Sequence, residues 1–205
     1  MNEQIESYNF FASLFFNLPD KEFVEKILSQ DYSDDAPGMV LMKSYKESVK
    51  DKDIEEIVKE IAVDRTYLMH GLYRDGPRPP YESVYFVPVY NEFALRGEIP
   101  EEAQEKRMSN MRSLKAVYRS AGLKVEKSAH QPADYLGLEL IFMEELYKQG
   151  EDTFAKRQEF INNHLGRFGI AFAEEMIKFA KTDFWRGIAY LLKAFLEEEV
   201  KFYSE

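Results

Sequence analysis

Cysteine is absent from the chain. That excludes a disulfide framework, thiolate metal sites, iron–sulfur ligation by this chain and cysteine nucleophiles. No basic residue precedes Lys21, whereas Glu3 and Glu6 come early. A secretory signal needs a basic region ahead of its apolar stretch, so none is read here. Long apolar runs are also missing. The longest uncharged stretch, Ser7 to Pro19, is too short to span a bilayer. The expectation is a protein that stays in the cytoplasm with no stable membrane insertion.

Catalytic signatures are equally scarce. The three histidines, His70, His130 and His164, never pair at metal-ligand spacing. HExxH, a Walker phosphate loop, GxGxxG and GxSxG do not occur. Gly166 and Gly169 lack the lysine and strand context of a phosphate loop. The reading is of no catalytic residues, no metal and no cofactor. A site assembled from distant positions would leave no such local mark.

What the chain does have is 205 residues with 45% hydrophobic and 31% charged content, an ordinary globular balance. Sixteen Phe and thirteen Tyr stand beside one Trp, so the core is expected to rest on flat rings. The net charge is −10, which disfavours nucleic acid and favours a basic partner. Basic residues from Lys106 to Lys127 are interleaved with Glu98 to Glu126 and read as a solvated helix face.

The apolar periodicity predicts an all-α, single globular helical domain of about nine to ten helices around a proline-rich central loop. Helices are expected near 3–18, 21–30, 39–50, 51–71, 89–96, 100–121, 133–148, 152–165, 167–180 and 184–202. Asp20, Asp51 or Asp53, and Thr182 or Asp183 supply caps; Gly122 and Gly150 supply stops. Whether the helix over 152–165 continues past Gly166 is left open. Residues 73–88, with four prolines, cannot form a regular helix and read as a loop or hinge. Trp185 fits either core or groove edge. No strand and no solenoid repeat is predicted.

Three stretches carry more than periodicity. The first runs from Tyr67 to Tyr85 and ends in Pro79-Pro80-Tyr81-Glu82-Ser83-Val84-Tyr85. The second is Pro132-Ala133-Asp134-Tyr135 followed by Leu136 to Met143, containing Glu139-Leu140-Ile141-Phe142-Met143. The third is Phe160 to Leu165, with Phe168 after it. Together and in this order they resemble the TorD/DmsD/NarJ-type redox-enzyme maturation chaperones, over about residues 5–200. The resemblance implies an all-helical, non-enzymatic protein. It implies as partner the catalytic subunit of a molybdopterin oxidoreductase and its twin-arginine leader, held during cofactor insertion and before export. A monomer or domain-swapped dimer is compatible with it. A helical assembly module, or a nucleotide-binding protein with a different partner, is the alternative. The chain departs from the family pattern at Tyr135, where a histidine is usual, and at Ala133, between Pro132 and Asp134. A tyrosine can stack and donate a hydrogen bond but carries no positive charge.

On that basis Asp134, Tyr135, Glu139, Tyr81, Glu82, Ser83, Tyr85 and His164 are the candidate peptide-binding residues. Each has a competing structural role. Asp134 would cap or charge-compensate the helix after it, Glu139 would pair with an arginine inside the fold, and Tyr85 and Phe86 would pack the loop down. From Gln131 to Asp152 there are six acids and one base, and this reads as an acidic rim.

Overall fold

The computed structural model describes residues 2–70, 76–86, 100–125 and 131–204. The expected all-α class holds. Among these residues the regular elements are helical, and the only β feature is an isolated antiparallel bridge between Tyr81 and Tyr135. The expected helix at 89–96 lies outside the described residues. No described helix is long and apolar enough to cross a membrane.

Four helices open the chain: α1 (Asn2–Phe16), α2 (Lys21–Ser29), α3 (Pro37–Val49) and α4 (Ile54–His70). Their starts follow the sequence signals. The Asp20 carboxylate accepts from Phe23 N–H at 2.8 Å, and Asp53 accepts from Glu55 N–H at 2.8 Å. Such caps satisfy backbone donors that the first helical turn leaves unpaired. A five-residue helix α5 (Glu82–Phe86) then appears inside the stretch expected to be irregular. The prolines stop short of it, at Pro80, so its backbone donors are intact.

After α6 (Glu101–Ser120), Gly122 takes φ +77° and ends the run, as expected of a residue with no Cβ penalty there. The basic residues Lys106, Arg112, Lys115 and Arg119 on α6 are exposed. Helix α7 (Leu136–Gln149) starts three residues later than expected, because Pro132 to Tyr135 forms a turn closed by Tyr135 N–H to the Pro132 carbonyl at 3.1 Å. A short 3₁₀ turn (Glu151–Thr153) leads into α8 (Phe154–Phe160). A π-helical segment (Ile161–Leu165) joins α8 to α9 (Gly166–Phe179) without a break, so the two glycines do not divide the helix. The last element is α10 (Asp183–Ser204), capped by Thr182 Oγ1, which accepts from Trp185 N–H at 3.2 Å.

Helix α7 is the centre. Ten of its fourteen residues are buried, which suits a helix that is apolar nearly all round. Helix α1 packs along it, and α10 packs against both α3 and α9. The core is one continuous cluster from Tyr8 to Tyr203, rich in rings as composition predicts. Trp185 belongs to it. The indole is fully buried and its N–H donates to the Ile61 carbonyl at 2.8 Å.

Two buried acids fasten the helices. Asp64 accepts from Lys181 N–H, Thr182 N–H and Thr182 Oγ1, tying α4 to the α9–α10 turn. Glu199 accepts from Tyr8 Oη at 2.8 Å and Tyr147 Oη at 2.7 Å, and Tyr203 Oη donates to Tyr147 Oη at 2.9 Å. This knot joins α1, α7 and α10. Burial raises the Glu199 carboxyl above its ordinary range against the two tyrosine hydrogen bonds, which pull the other way.

Candidate functional site

The proline-braced segment and the start of α7 are stitched backbone to backbone. Glu82 N–H donates to the Asp134 carbonyl at 2.9 Å, and Leu136 N–H donates to the Pro80 carbonyl at 3.0 Å. Because Pro80 satisfies that first α7 donor, the helix uses no side-chain cap. Asp134 is therefore free to act elsewhere. Its Oδ2 accepts from both the backbone N–H and the hydroxyl of Ser83, so it holds the start of α5. The expected capping role of Asp134 on its own helix is corrected to a hydrogen bond with an element fifty-one positions away.

Tyr135 extends this stitching. Its hydroxyl donates to the Phe15 carbonyl at 2.6 Å, and its ring meets Phe16 edge-on and tilts against Tyr81. Arg65 from α4 donates to the Leu14 and Phe15 carbonyls. Tyrosine and arginine thus satisfy the last carbonyls of α1, which a helix end leaves unpaired. Stacking and donation, the two capacities a tyrosine keeps at this position, are the ones used.

Below the stitch lie three buried carboxyls. Glu82 is 1% exposed, and Asp134 and Glu139 are fully buried. Glu82 is satisfied: Asn110 donates to its Oε2 at 2.9 Å, and His164 Nδ1 lies 2.8 Å from its Oε1. Asp134 uses one oxygen and leaves Oδ1 unpartnered. Glu139 has no hydrogen-bond partner on either oxygen. The arginine expected beside Glu139 is absent among the described residues. Burial first, then the nearby Glu82 and Asp134 carboxyls, hold its proton well above the usual carboxylate range. Burial without a cation thus favours the uncharged form of the Glu139 carboxyl.

Tyr118 roofs the cluster. Its hydroxyl donates to the Ala133 carbonyl at 2.8 Å, and its ring packs on Phe142 and Phe160. On the far side of these rings a groove of about 270 Å³ opens between α6 and the α8–π segment. Val117, Phe142, Phe160 and His164 line it, with Lys156 and Glu159 at its edge. His164 links groove and cluster: its ring stacks on Phe160 at 5.2 Å, its side chain is 17% exposed, and its Nδ1 faces Glu82. The π turn that positions it is a local widening often found at functional sites.

The candidate residues thus converge, but not as an open acidic surface. Glu82, Ser83, Asp134, Tyr135 and Glu139 are buried, whereas Tyr81, Tyr85 and His164 are partly exposed. Tyr81 donates to Gln131 Oε1 at 3.4 Å. Tyr85 packs on Phe168 under the Arg78 guanidinium, and Arg78 pairs with Glu175 of α9 at 3.0 Å. Phe86, expected to pack, is 39% exposed. The acidic rim needs correction too. Of its six acids, Asp134, Glu139 and Glu144 are buried, the last bonded to Asn9 and Lys148.

Asn110, Tyr118 and Asp64 are missing from the sequence reading of the site and its frame. Asp64 has a visible signal, since it lies three residues after Ile61 and four before Leu68 on the inward stripe of α4. Asn110 and Tyr118 have none beyond helical phase. Among the described residues no group of His, Cys, Asp and Glu side chains is placed to hold a metal ion.

The comparisons agree with the three ordered stretches. The family model described as nitrate reductase delta subunit matches residues 42–174, which contain all of them. The chain is also 28% identical to the Chaperone protein TorD of Vibrio parahaemolyticus serotype O3:K6 (strain RIMD 2210633), over 94% of this chain and 91% of that protein. No solved structure matches. The resemblance to TorD/DmsD/NarJ-type proteins is borne out, and the chain belongs to the nitrate reductase delta subunit family.

Proposed function

We propose that the protein is a cytoplasmic, non-enzymatic chaperone dedicated to a molybdopterin-containing oxidoreductase. It binds the twin-arginine leader of the catalytic subunit, or that subunit's body, during cofactor insertion and before export. The observation that carries this reading is full-length similarity to a protein named Chaperone protein TorD, within a family described as nitrate reductase delta subunit. The geometry supports it. A ring-lined groove with a charged edge suits a short apolar segment flanked by basic residues. Its volume of about 270 Å³ is just below the roughly 300–1,000 Å³ of small-molecule pockets, so it suits side chains better than a nucleotide.

In this reading the eight candidate residues divide the work. Tyr81, Tyr85 and His164 face the bound segment. Glu82, Ser83, Asp134, Tyr135 and Glu139 fix the loop and set the charge beneath it. Co-purification from native cells tests the function: the expected companion is a molybdopterin oxidoreductase subunit with its leader still attached. Recovery of only leader-free mature enzyme, or of no such subunit, contradicts it.

A further inference from the structure

Glu139 is the one buried carboxyl of the cluster with neither oxygen partnered. Sheltering it serves no visible structural purpose, because a hydrophobic residue of similar volume would pack there without the desolvation cost. It faces two other acids, and among the described residues His164 reaches the cluster, through Glu82. The charged and titratable surroundings are Glu82 on α5, Asp134 before α7, Tyr118 with Asn110 on α6, and His164 on the π segment. Lys156 and Glu159 stand at the groove edge, on α8. Three carboxyls against one histidine leave the cluster short of positive charge.

We infer that this cluster is a proton-exchanging receptor for one arginine side chain of the client: Glu139 carries a proton in the free protein and yields it when a guanidinium enters past His164. The proton passes to solvent, and the cation takes its place beside the Glu139 carboxylate and the free oxygen of Asp134. Guanidinium offers five donors to orphaned acceptors, which an ammonium cannot match. His164, partly exposed where groove and cluster meet, is the side chain the guanidinium passes. The inference rests on the peptide-binding reading above and adds to it a linkage between binding and proton release.

The test is calorimetry at pH 7.5 in two buffers of different ionisation enthalpy. The titrant is an Arg-Arg leader-like peptide, and its citrulline-citrulline variant, which keeps shape without charge, is the control. The wild type is expected to release about one proton per arginine peptide bound, and Glu139→Gln none. An independent readout needs no variant: the infrared band of a protonated carboxyl in the wild type should vanish on adding the arginine peptide and persist with the citrulline peptide. Binding without proton release, equal release by Glu139→Gln, or a band unchanged on arginine-peptide binding would overturn the inference alone. No binding of either peptide would overturn the peptide-binding reading with it.

Discussion

Glu139 and Ser83 show what single side chains do here. Burial that raises the affinity of Glu139 for its proton means that the folded state holds more protons than the unfolded chain above the ordinary carboxyl value of 4.5. Stability must therefore fall as pH rises through that window. Replacing Glu139 by Gln removes this contribution. Urea denaturation from pH 5 to 8 should show the variant gaining on the wild type as pH increases, while parallel curves would contradict a neutral Glu139. Ser83→Ala removes the hydroxyl that meets Asp134 and leaves a buried carboxylate with one donor fewer. The expected cost is about 1–3 kcal/mol, read as a shift of the urea midpoint, with faster amide exchange at residues 82–86.

At the scale of elements, the α8–π–α9 rod and the α4 clamp are the revealing parts. A Cβ on Gly166 would overlap the Ile161 carbonyl oxygen, which belongs to the π turn. Gly166→Ala should lose on the order of 1–3 kcal/mol and weaken the His164–Glu82 contact, seen as a changed chemical shift of the His164 ring by NMR. Asp64→Ala leaves the three donors at 181–182 unmet and should cost on the order of 3 kcal/mol, measured by the same denaturation. Helix starts at Asp20, Asp53 and Thr182 are legible in the sequence because a cap is a local signal, one to three residues from the donor it satisfies. Helix α5 is not, since four prolines in 73–88 mask a five-residue run that contains none. The π turn leaves no mark either: Asn162-Asn163-His164 has the phase of an ordinary helix. The site residues are legible as a set. Their depth is not, because Asp134 to Ser83 and Glu82 to His164 are pairings across 51 and 82 positions that no periodicity records.

Across the whole molecule, burial redistributes the charge. The stretch 131–152 carries half of the net charge, yet three of its acids are internal. Glu145, Glu151 and Asp152 remain toward solvent, with Glu145 paired to Lys148 and Glu151 to Arg157. Long-range steering of a basic segment should accordingly be modest, and recognition should depend on short-range contact with rings and carboxyls. The most direct measurement is a calorimetric titration of the full chain with twin-arginine leader peptides and their Lys-Lys counterparts at two salt concentrations. The account predicts that an arginine leader binds, that the Lys-Lys exchange weakens it by about tenfold or more, and that salt weakens it less than that exchange does. No binding of any such leader, or equal binding of the arginine and lysine forms, would contradict it.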